Sequence, residues 1–244
     1  MEENWKITDN RIVLYLDIMG FKDLVQKVDP KSLHTHLKEA ISFASEMKHI
    51  GYADLERAGF RKFPEIKSQV FSDSIVFTSE GISTADIYTI TKGAKWVSSA
   101  LFQHHITFRG AIACGNMTYD DQNSIFFGQP LIDAYLLEQQ LDLFGITVHH
   151  SFEGLLKHSF KKKKCEDSLQ DYVPYPIKTS KGKATHLVLD WIRFAEEIHG
   201  NTFHHQIYSI LSSQMSGGPK HYLDNTYNFL KESLTRPIID RDYK

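Results

Sequence analysis

The sequence predicts an α+β fold: a mainly antiparallel sheet with helices packed on it. Three observations carry this. Ile12-Val13-Leu14-Tyr15-Leu16 is an uninterrupted apolar run that suits a strand buried on both faces. Residues 66–79 give two short strands that turn at Phe71-Ser72-Asp73-Ser74. Residues 84–103 predict a helix with Ile87, Ile90, Ala94, Val97 and Leu101 on one face.

The remaining elements fall in order around these. The first strand covers 12–19, and Gly20 allows a tight turn into a helix near Phe21. Asp29-Pro30 opens a second helix with an apolar stripe of Leu33, Leu37, Ile41, Ala44 and Met47, and 50–64 has no clean period. A small-residue strand spans 106–115, another covers 124–128, and Pro130 starts a helix carrying Leu131, Ala134, Tyr135, Leu137 and Glu138. A strand at 145–150 leads into a short helix at 151–158. The order to residue 158 is then β-α-α-β-β-α-β-β-α-β-α, with the helices expected on one side of the sheet. Composition shifts at Lys161–Lys164 and at the strip Tyr172-Val173-Pro174-Tyr175-Pro176, followed by a strand at 186–190. Helices at 203–214 and 219–234 are divided by Ser216-Gly217-Gly218-Pro219. Two units are therefore expected, 1–159 and a C-terminal α/β extension, 160–244, packed on it.

Composition excludes several classes. A formal net charge of -2 argues against a general nucleic-acid binder, which needs a basic face. Cys114 and Cys165 are far apart and suggest neither a disulfide framework nor a zinc cluster. No apolar stretch approaches the roughly 20 residues needed to span a membrane. The start, Met-Glu-Glu-Asn-Trp, carries no basic and apolar leader, so a cytoplasmic location is expected. The adjacent pairs His104-His105, His149-His150 and His204-His205 would diverge on strands rather than converge on a metal.

The chemistry is expected at two acids, Asp17 and Asp73, each at the end of an apolar run. A carboxylate at such a place is costly to bury unless a cation or donor satisfies it. Two carboxylates meeting at one point suit hard divalent metals, which take oxygen ligands and bridge to phosphates. That combination points to a nucleoside triphosphate.

These segments resemble the class III nucleotidyl cyclase family, a ferredoxin-like fold, over roughly residues 10–150. Asp17-Ile18-Met19-Gly20-Phe21 is similar to the family's Asp-Ile-x-Gly-Phe signature, and Ser72-Asp73 stands where the second metal Asp follows Gly. Arg109-Gly-Ala-Ile-Ala-Cys-Gly115 resembles the Arg-x-Gly-Ile-x-x-Gly strand. Phe127-Gly128…Asp133-Ala134-Tyr135-Leu136-Leu137-Glu138 echoes the helix that follows. The resemblance implies two divalent ions, Mn²⁺ or Mg²⁺, held by Asp17, Asp73 and the Ile18 carbonyl. It also implies backbone N–H groups of Met19, Gly20 and Phe21 facing the triphosphate at a helix start, and a homodimer whose sites use both protomers.

The departures alter the expected substrate. Gln69 stands where the family has its purine-selecting Lys, and Ile125 where its acidic partner lies. Ile132 and Leu136 replace the transition-state Asn and Arg. The pattern is most similar to the bacterial pyrimidine cyclases of Pycsar anti-phage systems, which make cyclic UMP or cyclic CMP for a separate effector protein. Gln69 and Arg109 are then the candidates for base or phosphate contacts. An amide both donates and accepts, so Gln69 does not choose between UTP and CTP; UTP is slightly preferred. The rival expectations are another two-metal nucleotidyltransferase and a catalytically inactive nucleotide-binding module.

Overall fold

In the computed structural model the chain is described over residues 5–45, 64–160, 171–179, 182–200, 203–214 and 220–236. Its centre is β1 (Thr8–Ile18), antiparallel to β3 (Ser74–Ser79) on one side and to β4 (Phe108–Asp120) on the other. β2 (Ile66–Phe71) pairs with β3, β5 (Ile125–Gly128) with the far end of β4, and β6 (Gly145–Val148) runs parallel to β4. The C-terminal segment adds a hairpin of β7 (Tyr172–Thr179) and β8 (Gly182–Leu189), joined to β6 through β8. The sheet order is β2-β3-β1-β4-β6-β8-β7. A mixed α+β fold with a mainly antiparallel sheet and packed helices is what the apolar periods predict.

Alternation along β1 sorts the two faces. Ile12, Leu14, Leu16 and Ile18 enter the main core with Ile75, Phe77, Phe108 and Ile112. That face is covered by α2 (Pro30–Ser45), which contributes Leu33 and Ala40, and by α3 (Thr84–Gln103), which contributes Ile87, Ile90, Ala94, Val97 and Leu101. α3 starts on a capping box: Asp86 N–H donates to Ser83, and Asp86 accepts from the Ser83 N–H. Residues 13, 15 and 17 point the other way. There the helix α4 (Gln129–Glu138) lays Ala134 and Leu137 onto Ala111 and Ala113. The helices thus lie on both faces, not on one as expected. Small side chains along β4 leave room for α4 to sit close to the sheet.

Two more features differ from the sequence-based expectation. The Tyr/Pro strip is a strand, because β7 is an edge: Pro174 and Pro176 lie two residues apart, so both prolyl nitrogens face away from β8. A helix over Trp191–His199 (α6) was not expected; Asp190 caps it, and Trp191, Ile192, Phe194 and Ala195 are buried. It follows α5 (His150–Phe160) and precedes α7 (Phe203–Gln214) and α8 (Lys220–Thr235). Among the described residues, no helix is long and apolar enough to cross a membrane. Met47, the 50–63 stretch, Lys161–Lys164, Cys165 and Ser216–Pro219 lie outside the described residues.

Pairing of β1 with β4 sets the site, and Gly110 sets how closely they approach. A Cβ there would lie 2.4 Å from Leu16 Cδ2 and 2.6 Å from the Tyr15 carbonyl oxygen. The backbone oxygen cannot move aside without breaking the ladder. Gly110→Ala is therefore expected to destabilise the chain by about 3 kcal/mol, read as a lowered urea midpoint at unchanged m-value. A midpoint equal to wild type would show that the two strands tolerate separation.

Candidate active site

Three strand ends meet where β1 finishes. In register, Asp17 stands opposite Ser74 of β3 and Arg109 of β4. The β2–β3 connection is the two-residue turn Ser72-Asp73, with Ser72 at φ 56, a positive value that such tight hairpins require. This turn folds back on β1: the Ile18 N–H donates to the Asp73 carbonyl oxygen at 2.8 Å. Next in the chain, the Met19 N–H donates to the Thr107 carbonyl oxygen at 2.9 Å. Backbone hydrogen bonds thus bring Asp17, Ile18 and Asp73 together at one end of the central strand, a rim formed by the ends of β1, β3 and β4. Gly20, at φ 69, then turns the chain into α1 (Phe21–Lys27), and Phe21 packs against the main core. Met19 differs from expectation, because its N–H is already committed to Thr107.

The electrostatics of this edge are those of crowded acids. Burial raises the Asp17 pKa, Arg109 pulls it down, and the charge of Asp73 raises it further. Glu138, at the end of α4, is almost wholly enclosed. Burial pushes its carboxyl up to about 7 against the pull of Arg109, with Asp17 and Asp73 adding to the push. Arg109 serves both Asp17 and Glu138. Its Nη2 lies 2.8 Å from Glu138 Oε1 and 3.8 Å from Asp17 Oδ2. Its Nη1 donates to the Tyr222 hydroxyl at 2.8 Å and to the Leu141 carbonyl at 3.3 Å. The Glu138 contact is an ion pair by distance but not a hydrogen bond by direction, so Glu138 Oε1 is buried without a hydrogen bond.

Among the described residues, no group of three or more His, Cys, Asp or Glu side chains closes on a single point to hold a metal. A cation at this edge has two side-chain carboxylates at hand, Asp17 and Asp73, with Ile18 between them. That donor set fits Mg²⁺ or Mn²⁺, which are held by one or two carboxylates and complete their shells with water and substrate phosphates. The charge of Asp73 acts on Asp17, and those of Asp17 and Asp73 act on Glu138; with one guanidinium among these acids, a negative excess remains that such an ion offsets.

Gln69 is placed elsewhere. It stands opposite Val76 on β3, and its amide N–H donates to the Tyr119 hydroxyl, while its Oε1 is buried without a hydrogen bond. Tyr119 packs with Val13, Met117, Trp5 and Phe126, and burial raises its hydroxyl pKa. Tyr15, on the same face as Asp17, shares a 2.7 Å hydrogen bond with Ser74 and meets Tyr135 edge-on. The positions of the expected polar groups, Ile125, Ile132 and Leu136, are about half exposed.

Glu138, Tyr119 and Tyr222 were not among the expected site residues. Glu138 was legible: Pro130, Ala134, Leu137 and Glu138 are the buried residues of α4, at i, i+4, i+7 and i+8. An acid on the inward stripe of a helix needs a partner. Tyr222 has no comparable signal, because its proximity depends on how α8 folds back across the chain.

No protein-family model matches the chain, and no curated protein does. Solved structures with a similar chain path include nucleotide cyclases. The catalytic core of a rhodopsin-guanylyl cyclase with converted specificity, in complex with ATPαS, is 13% identical. Its TM-score is 0.46, over 74% of this chain and 94% of that one. A bacterial light-regulated adenylyl cyclase is 11% identical, with a TM-score of 0.48 over 82% of this chain and 59% of that one. An adenylate/guanylate cyclase/hydrolase from Silicibacter pomeroyi is 16% identical, with a TM-score of 0.44 over 74% of this chain and 95% of that one. The likeness is one of chain path.

Proposed function

We propose that the chain is a metal-dependent nucleotidyl cyclase that converts a pyrimidine nucleoside triphosphate, UTP in preference to CTP, into its 3′,5′-cyclic monophosphate and pyrophosphate. The observation that carries this reading is the meeting of Asp17 and Asp73 at one end of the central strand through the Ile18–Asp73 hydrogen bond. Divalent ions held by Asp17, Asp73 and the Ile18 carbonyl would neutralise the triphosphate and favour ionisation of the ribose 3′-hydroxyl. The turn at Gly20 and Phe21 lies on the phosphate side, with Arg109 as the cation beside Asp17. Within one protomer Gln69 stands away from these acids, so in this reading it contacts the base of the site on a second copy, its amide held by Tyr119. Loss of the purine-selecting pair at Gln69 and Ile125 supports a pyrimidine over a purine.

The working unit in this reading is a homodimer. Exposed apolar side chains concentrate on β2, β5 and α4: Phe71 is 83% exposed, Phe127 60%, and Ile132 and Leu136 about half. Burying them against a second copy gives a closed two-fold contact. The product would be read by a separate effector, as in an anti-phage defence system, and the enzyme would act in the cytoplasm.

A second reading is favoured by one observation: Ile132 and Leu136 are apolar where transition-state donors are expected, which suits an inactive nucleotide-binding module. One experiment separates them. The full chain is incubated with each of the four NTPs and Mn²⁺ or Mg²⁺, and the products are identified by mass spectrometry. Cyclic UMP, with less cyclic CMP and no cyclic purine, is expected. Nucleotide binding without any cyclic product selects the inactive module, and cyclic AMP or GMP as the main product overturns the pyrimidine assignment.

A further inference from the structure

The loop of residues 139–144, which joins α4 to β6, is held from outside by one stripe of α8. The Asn225 side chain donates to the Asp142 carbonyl at 2.9 Å, and Thr226 Oγ1 accepts from the Phe144 N–H at 2.9 Å. Tyr222 stacks on Phe144 with ring centres 5.7 Å apart. Residues 222, 225 and 226 are neighbours on a helix surface. From the same stripe, the Tyr222 hydroxyl reaches Arg109, whose guanidinium also lies 5.5 Å from the centre of its ring.

These contacts divide the guanidinium into two ends. Nη1 is occupied by Tyr222 and by the Leu141 carbonyl of the clamped loop. Only Nη2 faces the acids, meeting Glu138 at 2.8 Å and stopping 3.8 Å from Asp17. A guanidinium released at Nη1 can turn both amino groups onto one carboxylate, the fork arrangement it favours. On Asp17, that arrangement would occupy the oxygens a divalent ion needs.

We propose that Tyr222 is a positioning residue: it holds Arg109 by Nη1 and so keeps the guanidinium off Asp17, leaving that carboxylate open to a divalent cation. The C-terminal extension, through α8, is then part of the metal centre's support. The inference rests on the two-aspartate metal reading above.

The test measures Mn²⁺ binding to the full chain without nucleotide, by the electron paramagnetic resonance signal of free Mn²⁺, together with Tm. Tyr222→Phe keeps the stack on Phe144 and loses only the hydroxyl; Mn²⁺ affinity is expected to fall about 10-fold. Tyr222→Trp, which also lacks the acceptor, gives a second route to the same readout. Adding Arg109→Gln and Glu138→Gln together to Tyr222→Phe, which removes the competing cation without stranding Glu138, is expected to restore affinity to at least the wild-type level. Tyr175→Phe removes a 3.3 Å hydrogen bond to the Asn225 carbonyl of the same helix without touching Arg109, and affinity should stay within about twofold of wild type. Unchanged affinity in Tyr222→Phe overturns the proposal. So does an equal loss in Tyr175→Phe, which would mean that Tyr222 only holds the helix. A wild-type chain that binds no Mn²⁺ overturns the metal reading and the role of Tyr222 with it, whereas a wild type that binds beside an unaltered Tyr222→Phe overturns the role alone.

Discussion

Asp17→Asn and Asp73→Asn are each expected to lower metal-dependent turnover by about 10³-fold, the rate equivalent of roughly 4 kcal/mol of lost charge stabilisation. The folded chain should persist in both. Asn matches Asp in shape, and the backbone bonds that build the edge, Ile18 N–H to Asp73 O and Met19 N–H to Thr107 O, involve neither side chain. Neutralising Asp17 also removes a charge that burial and Asp73 already disfavour, while Arg109 keeps Glu138, Leu141 and Tyr222 as partners. Tm should therefore change little while Mn²⁺ affinity and initial rates collapse together. Turnover within about tenfold of wild type in either variant, at saturating Mn²⁺, would remove that aspartate from the chemistry.

The sequence disclosed the sheet and the two acids because both are local signals. An apolar run ending in Asp17 is readable residue by residue, and the Phe71–Ser74 hairpin carries its acid at the bend whatever lies around it. Helix α3 was legible for a similar reason: a long apolar stripe runs along it, and the structure adds the capping box at Ser83 that starts it. What was hidden depends on where elements meet. That α4 crosses the second face follows from Ala111 and Ala113, whose small size matters only once the strand order is known. Proline in β7 masked a strand that is allowed because it is an edge. Gln69 was legible as a polar strand residue, but the group that holds it was not: Tyr119, fifty residues on, lies on an end of β4 that runs beyond its predicted limit.

The largest stability effect is expected at the Arg109–Glu138 pair. Arg109→Leu leaves Glu138 enclosed beside Asp17 and Asp73 with no cation, and stripping one partner from a buried pair costs about 3–5 kcal/mol. Arg109→Leu/Glu138→Leu should recover most of that, since no charge is then stranded. The pH dependence separates this from lost packing. The Glu138 carboxyl sits at about 7 in the folded chain against an ordinary 4.5. Between those values the folded state binds the extra proton, so stability attached to Glu138 is fully present below about 4.5 and is lost as pH rises through about 7. Wild type should therefore lose Tm relative to Glu138→Gln as pH is raised from 5 to 8 in metal-free buffer. Arg109→Leu should steepen that loss, because the group that pulls the Glu138 pKa down is gone. Parallel Tm curves for wild type and Glu138→Gln across that range would mean that Glu138 ionises as an ordinary exposed acid, and that the crowding of charge at this edge is not what sets its behaviour.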